Sequence, residues 1–364
     1  MRVGIFIEPW IRQNAGIGVF TRELAKAASV GNFEYVQIGS EQRIEGMEFI
    51  RIPSWKSSFF NPFRYFNLLQ LDLETHGIDI LIDPSHYSSL GMIRGREKVV
   101  ILHDLTPLLL PNYHRFNSVL AHRLLLKQAL KSASLIVTIS NQTKDDVSRI
   151  LGITQDVVRI YPGIQFQPID GTELTGQQRD DFIIAVSTIE PRKNHFNLIR
   201  AFEAFCINNS TTRLRIVGAH GWKVDLKRII KESNVSDRIE YLGYVDQKNL
   251  KELYRKAKFS VYASLYEGFG LPILESMSQG CPVITSNLGA MKEAAGSAAL
   301  LIDPQSPSSI AEAMVRLDED SALRSHLSME GLDRAHMFSW TKFMENLENV
   351  LRDSAQNDRL FDVA

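Results

Sequence analysis

Two glutamates, Glu267 and Glu275, bracket a Gly-Phe-Gly-Leu-Pro core in the segment Ser264-Leu265-Tyr266-Glu267-Gly268-Phe269-Gly270-Leu271-Pro272-Ile273-Leu274-Glu275-Ser276-Met277, with seven residues between them. The apolar run Phe259–Ala263 ends just before this segment, and Pro272 suits the first turn of a helix. The pattern therefore predicts strand, glycine turn and helix in that order. The backbone N–H groups of Gly268, Phe269, Gly270 and Leu271 would stand at the helix N-terminus, which attracts an anion and above all a diphosphate. Glycine lets the backbone come close and take positive φ. A carboxylate repels phosphate, so Glu267 in the loop and Glu275 in the first helical turn should face hydroxyls beside it. One ionised carboxylate can accept two hydrogen bonds from a vicinal diol. A nucleoside diphosphate sugar has hydroxyls on both sides of a diphosphate. The plain structural alternative is an ordinary strand–turn–helix with one surface and one capping glutamate.

A second constellation follows the run Phe182–Val186, in Ser187-Thr188-Ile189-Glu190-Pro191-Arg192-Lys193-Asn194. Arg192 and Lys193 at a strand end could neutralise a diphosphate and stabilise the charge that grows as it departs, without a metal ion. Surface Arg–Lys pairs are common as solvated groups. Cations at a helix start oppose the helix dipole, however, so an anion there would account for them.

These segments resemble the signature of the retaining glycosyltransferases of family 4, which have the GT-B fold. The resemblance spans nearly the whole chain and is weakest over Phe33–His76. It implies an α/β architecture of two Rossmann-like domains facing each other across a cleft. Residues 1–165 would form the acceptor-side domain, with a C-terminal helix of about 340–364 packing back on it. Residues 178–339 would form the nucleotide-sugar domain. Glu275 would hold the nucleotide ribose. Glu267 would meet the donor sugar near its reacting carbon, with the Phe269-Gly270-Leu271 backbone on sugar and phosphate. Arg192 and Lys193 take the diphosphate role. Gly16-Ile17-Gly18 resembles the N-terminal glycine loop of the family, through which Gly16 and Gly18 let the backbone approach donor phosphate or acceptor. Thr21 stands where a dinucleotide fingerprint needs a third glycine, which counts against a nicotinamide cofactor. His103, in His103-Asp104 after Val99–Leu102, would line the active site and touch the donor sugar; the alternative is a structural histidine bonded to backbone. Gly218 and Trp222 in one corner, and Tyr244 and Val245 in another, resemble segments that hold the nucleotide base through backbone groups, although Trp222 and Tyr244 could equally be packing.

The elements that must position these residues are legible as alternating β-branched runs and amphipathic stretches. Val3–Ile7, Ile78–Ile82, Lys98–Leu102 and Leu135–Ile139 read as strands, with helices over Gly16–Ala28, Ser118–Ser132 and Gln142–Leu151. The polar stretch Ile164–Arg179 has linker composition. Beyond it, strands over Phe182–Val186, Leu214–Val217, Ile239–Leu242, Phe259–Ala263 and Pro282–Thr285 alternate with helices over Asn197–Cys206, Leu250–Ala257 and Ile273–Gln279. Trp340–Arg352 is amphipathic. Such alternation argues parallel sheets covered on both faces.

Composition narrows the function classes. The 364 residues are 44% apolar and 23% charged, enough for two cores and against wholesale disorder. Lys+Arg at 41 against Asp+Glu at 42 argues against nucleic acid as the main partner. Cys206 and Cys281 are too few for a disulfide framework or a zinc site. Glu8 interrupts the apolar N-terminus, which reads as a strand and not a signal peptide, and no run is long enough to span a bilayer. The expectation is a cytoplasmic protein, with peripheral contact at the inner membrane face left open. Two features bear on that contact: the aromatic stretch Trp55–Phe66, and the helix Ser118–Ser132 with Arg123, Lys127 and Lys131, whose leucines are expected to face the core.

The resulting expectation is hexose transfer from a nucleotide diphosphate sugar to a hydroxyl of a glycan or lipid-linked saccharide, with no cofactor or metal required. GDP-mannose is the first choice of donor, with dTDP-rhamnose and UDP-sugars close behind. A retaining glycosidase, which also uses two carboxylates, and a silent nucleotide-sugar-binding module are the rivals.

Overall fold

The computed structural model describes residues 1–7, 16–39, 44–52, 73–85, 97–154, 157–174, 179–209 and 211–358. The chain forms two compact units, Met1–Gly163 with Ser339–Ala364, and Ile164–Phe338. The aromatic stretch Trp55–Phe66 lies outside the described residues.

The first unit is built on strands β1 (Arg2–Phe6), β2 (Glu34–Gly39), β3 (Glu48–Arg51), β4 (Ile80–Asp83), β5 (Glu97–Leu102), β6 (Leu135–Thr138) and β7 (Val157–Arg159). They pair in parallel in the order β3-β2-β1-β4-β5-β6-β7. Strands such as Ile-Leu-Ile-Asp and Lys-Val-Val-Ile-Leu are buried along their length, as a parallel sheet covered on both faces requires. The second unit repeats the design with β8 (Phe182–Val186), β9 (Arg213–Val217), β10 (Ile239–Gly243), β11 (Phe259–Tyr262), β12 (Val283–Ser286) and β13 (Leu300–Ile302), all parallel in the order β10-β9-β8-β11-β12-β13. Both sheets reverse strand order beside their first strand, which is the Rossmann arrangement. The core of the second unit packs Ile183, Phe202, Phe205, Leu214 and Phe259 against Met314.

Five helices matter below: α1 (Ile17–Ala28), α2 (Phe116–Ala121, continued by a π turn His122–Leu126 and by Lys127–Lys131), α3 (His195–Cys206), α4 (Leu271–Ser278) and α5 (Trp340–Asp358). The apolar stripe of α5, with Phe343, Leu347 and Leu351 fully buried, packs on the first unit. Phe20 of α1 meets Trp340 and Phe343 edge-on. Buried Glu348 fixes the register by accepting from the Asn32 N–H (2.8 Å), Asn32 Nδ2 (2.6 Å) and the Tyr35 hydroxyl (3.2 Å). Burial, followed by the Glu348 charge, pushes the Tyr35 hydroxyl well up.

The structure departs from the sequence reading in three places. Strands β2, β3, β7 and β13 were not anticipated. In β2 the buried Gln37 breaks the apolar run, and its amide is satisfied by the backbone of Ile44 through bonds of 2.7 and 2.5 Å. The expected linker is packed: Ile164, Phe166 and Ile169 are buried, and the Arg179 guanidinium donates to the carbonyls of Arg255 and Ala257, both at 2.9 Å, and Gly280. Three apolar anchors in a polar segment were enough to seat it. Finally, only some leucines of α2 face inward. Leu126 and Leu130 are buried, whereas Leu120, Leu124 and Leu125 are exposed. Successive helical residues point about 100° apart, so three adjacent leucines cannot share one face.

Candidate active site

In the second sheet β8 and β11 are neighbours, with Ser260 opposite Ile184, and the connections leave them in opposite directions. Ligands of open α/β sheets bind beyond the carboxyl ends of strands at such a switch point. The residues singled out from sequence follow these two strands.

After β8 the chain makes a 3₁₀ turn, Pro191–Lys193, that ends at Asn194 with φ 64°. Asparagine tolerates this left-handed conformation better than most residues. The buried Asn194 side chain donates to the Ala263 carbonyl at the end of β11 (3.0 Å) and to the Pro304 carbonyl (2.6 Å). Leu265 N–H donates to the Arg192 carbonyl (2.8 Å). The two loops are thus bolted together, and Arg192 and Lys193 are aimed at the residues after β11.

There they meet Glu267. Arg192 Nη1 lies 2.5 Å from Glu267 Oε2, and Lys193 Nζ lies 2.6 Å from Oε1. Lys193 also donates to the Tyr262 hydroxyl (2.9 Å), and Arg192 Nε is 3.3 Å from Glu190. The side chains of Glu267, Arg192 and Lys193 are only 8%, 17% and 9% exposed. Burial opposes the charged form of Glu267, yet Arg192 and Lys193 outweigh it and hold the carboxyl below its usual range. Lys193 is lowered by burial and by Arg192, against the pull of Glu267. The anion that accounts for the cations at this helix start is therefore Glu267.

The next turn leads into α4. Gly270 takes φ 110° and caps the helix without a side-chain acceptor. Pro272 sits in the first turn, and Ile273 N–H bonds back to the Gly270 carbonyl (3.0 Å). Among the described residues, the amides of Gly270 and Leu271 have no protein acceptor. Gly268 and Phe269 are buried, with the Phe269 ring on Phe338. Glu275 lies in the second turn, not the first. Its carboxyl makes no hydrogen bond or ion pair among the described residues, although it is only partly exposed. Burial raises it to about 7.

The other expected residues divide. Gly218 answers to packing: with φ 149°, a Cβ there would lie 1.9 Å from the Ser187 carbonyl oxygen. Its N–H donates to the Gly243 carbonyl (2.8 Å), and its own carbonyl accepts the Tyr241 hydroxyl (3.0 Å). The expected donor group at Gly218 is already used by the fold. Tyr244 is exposed and Val245 half-buried, while Trp222 carries Lys223 over its ring. In the first unit Gly16 caps α1 with φ 49°, and the Phe20 N–H donates to its carbonyl (3.0 Å). Gly18 is buried in the first turn, and Thr21 bonds the Ile17 carbonyl (2.8 Å). His103 is buried at the end of β5, with Nε2 2.7 Å from the Pro84 carbonyl and its ring edge-on to Phe20. Burial lowers its pKa, so the ring is neutral. This is the backbone bond a structural histidine would make. The sequence reading missed the roles of Asn194 and Tyr262. An asparagine directly before a helix was the available signal for the first; nothing marked the second. No group of three or more His, Cys, Asp or Glu is placed to hold a metal ion among the described residues.

The whole chain superimposes on sucrose-phosphate synthase from Thermosynechococcus elongatus with TM-score 0.78, at 18% identity and full coverage of both chains. That likeness and the doubled Rossmann order define the class: a GT-B fold. Residues 15–167 match the family model "Glycosyltransferase Family 4", and residues 172–334 match "Glycosyl transferases group 1". The O-antigen chain mannosyltransferase B of Escherichia coli is 32% identical over 264 residues, 68% of each chain. The O-antigen chain mannosyltransferase RfbU of Salmonella typhimurium is 24% identical over 62% of each. The chain belongs to the group 1/family 4 glycosyltransferases and is an enzyme of that class.

Proposed function

We propose that the protein moves a hexose, mannose favoured, from a nucleotide diphosphate sugar, GDP-mannose favoured, to a hydroxyl of a glycan or lipid-linked saccharide in cell-surface polysaccharide synthesis. The observation that carries this reading is the buried Glu267, held by Arg192 and Lys193 immediately before a helix whose first amides are uncapped. The names of the two curated relatives favour mannose and O-antigen. Gly270 and Leu271 amides would take the diphosphate and Glu275 the ribose hydroxyls. In a retaining displacement the acceptor oxygen bonds to the anomeric carbon while the bond from that carbon to the diphosphate oxygen breaks. The freed phosphate oxygen takes the acceptor proton on the same face. Arg192 and Lys193 stabilise its charge, so that no metal ion is needed. Positioning supplies the rest of the rate.

A thermal-shift panel of GDP-mannose, dTDP-rhamnose and UDP-sugars, with and without magnesium, tests the donor. Stabilisation by GDP-mannose above the others, unchanged by chelator, is expected. Selective stabilisation by another nucleotide would reassign the donor. Hydrolysis of glycan without nucleotide would replace the reading with a glycosidase, and donor binding without transfer to any glycan acceptor would leave a binding module.

A further inference from the structure

Among the described residues, Lys193 Nζ donates to Glu267 Oε1 (2.6 Å) and to the Tyr262 hydroxyl (2.9 Å). These two acceptors are mounted differently. Glu267 stands in the loop after β11, whereas Tyr262 is the last residue of β11. It pairs with Thr285 of β12, whose hydroxyl also donates to the Tyr262 carbonyl (3.0 Å). Successive strand residues face opposite sides of a sheet. Phe259 and Val261 enter the core of the second unit, while Ser260 bonds Ser276 of α4 (2.7 Å). Tyr262 shares the Ser260 side and is buried there. Arg192 depends less on Glu267. If that carboxylate let go, Arg192 would keep Glu190 3.3 Å from Nε and the Tyr266 carbonyl 3.4 Å from Nη1. Lys193 would keep only Tyr262 among the described residues.

We infer that Tyr262 is a positioning residue, whose hydroxyl keeps the Lys193 ammonium in place when a diphosphate draws it off Glu267. The inference rests on the diphosphate reading of the site given above. A lysine ammonium on its flexible stem must be ordered at a cost each time it is released. A phenol at a strand end has little freedom of its own and holds the cation throughout the exchange. Its neutrality matters as much as its reach. A second carboxylate would grip Lys193 as firmly but would repel the incoming phosphate, whereas the phenolic oxygen accepts from the ammonium and adds no charge. Burial, followed by the Glu267 charge, pushes the Tyr262 hydroxyl well up, so it stays protonated. Tyr262 touches no ligand in this scheme and acts through Lys193.

The test is calorimetric titration of the full chain with GDP, UDP and dTDP, followed by a mutant cycle with whichever binds the parent tightest. Tyr262→Phe keeps the ring and should bind about fivefold to tenfold more weakly. In a Lys193→Met background the same change should cost less than about twofold, because no ammonium is left to hold. Binding should also weaken at alkaline pH as Lys193 loses its proton. Arg192 repels that ammonium, Glu267 and Glu190 attract it, and burial lowers it most of all. His195 beside it is held neutral, at about 4, by burial and by Lys193 itself. Loss of the phenolic acceptor disfavours the ammonium further, so in Tyr262→Phe the alkaline limb should move to lower pH by about one unit. The titration of the nucleotide is common to both proteins. Undiminished binding by Tyr262→Phe, an unmoved limb, or equal weakening in both backgrounds would overturn the inference. The limb is read without Lys193→Met and decides the matter should that variant fail to fold. The diphosphate reading survives each of these results if Lys193→Met binds more weakly than the parent. Undiminished binding by Lys193→Met, or no binding of any of the three nucleotides by the parent, would overturn both.

Discussion

Glu267→Gln removes one negative charge from between two cations while keeping the side-chain volume. The carboxylate oxygens lie 2.5 and 2.6 Å from Arg192 and Lys193, with every partner mostly out of water. At an effective dielectric near 20, two unit charges about 4 Å apart interact by about 4 kcal/mol. Removing one partner of a buried pair costs about 3–5 kcal/mol, because the remaining charge is stranded. For a chain of this size that lowers the melting temperature by on the order of 10 °C. Part of the loss should return when a diphosphate fills the vacated place. In the parent a diphosphate must compete with Glu267 for the two cations; in the variant it need not. GDP should therefore bind the variant at least roughly tenfold more tightly, a gain of about 1.4 kcal/mol. Hexose transfer should fall by about 10²–10³, because the group proposed to face the reacting carbon has lost its charge. Lys193, already lowered by burial and by Arg192, drops further once Glu267 no longer opposes them. A cation whose folded pKa is depressed loses stability as pH falls through that value, so the variant should gain stability with rising pH relative to the parent. Differential scanning fluorimetry, calorimetric titration with GDP and a turnover assay read all four effects. An unchanged melting temperature with GDP binding no tighter would refute the electrostatic reasoning. Turnover within threefold of the parent would remove Glu267 from the chemistry.

Glu275 is raised to about 7 from 4.5, so its stabilising neutral form is complete below pH 4.5 and is lost as pH rises towards 7. The penalty at pH 8 is on the order of 3 kcal/mol, discounted for partial exposure. Glu275→Gln should thus melt higher than the parent at pH 8 and bind nucleotide at least about tenfold more weakly; lower melting or undiminished binding would contradict the assignment. Because the parent carboxyl is about half protonated near pH 7, nucleotide binding should release a fraction of a proton there and almost none at pH 9. Calorimetric titration in buffers of different ionisation enthalpy reads that difference. Asn194→Gly should be less damaging than Asn194→Ala, because glycine keeps the φ of 64° while both lose the bonds to Ala263 and Pro304. Denaturant melts should separate the two by about 1 kcal/mol. Gly218→Ala should abolish folding of the second unit or cost more than about 3 kcal/mol, since its Cβ would sit 1.9 Å from a backbone oxygen. A soluble variant with parent-like melting would refute the close approach.

The strands that hold the site were legible because a parallel sheet covered on both faces demands unbroken apolar runs, and Phe182–Val186 and Phe259–Ala263 are such runs. Pro272 and Gly270 marked the start of α4 because few other residues suit those backbone positions. Strand β2 escaped because its buried Gln37 is paid for by a backbone partner seven residues away, which no periodicity shows. Leu124 and Leu125 misled because burial on α2 follows angle around the axis and not hydrophobicity. The linker reading failed in the converse way. Composition averages over Ile164, Phe166 and Ile169, whereas packing acts on each side chain. At the site, residue types told which charges were present but not that Glu267 would already be spent on Arg192 and Lys193.

That last difference changes what the two glutamates do. Their spacing suggests a symmetric pair, each waiting for a sugar. The structure puts them in opposite states: Glu267 is kept anionic by two cations, and Glu275, raised to about 7 by burial without a hydrogen-bond partner, is still about half neutral near pH 7. Environments that push two carboxyls apart assign them different tasks. An anion that holds Arg192 and Lys193 in place prevents the cations from scattering into solvent before a diphosphate arrives, which lowers the ordering cost of binding at the expense of a competition. A carboxyl without a partner gains its charge most readily when hydroxyl donors come within reach, so it favours a ligand that brings them over a bare phosphate. Inorganic diphosphate would then meet the competition at Glu267 and gain nothing at Glu275, while a nucleoside diphosphate gains at the second what it pays at the first. On the proposed assignment of the two glutamates, selectivity for the nucleotide follows from that asymmetry before any contact to the base is considered.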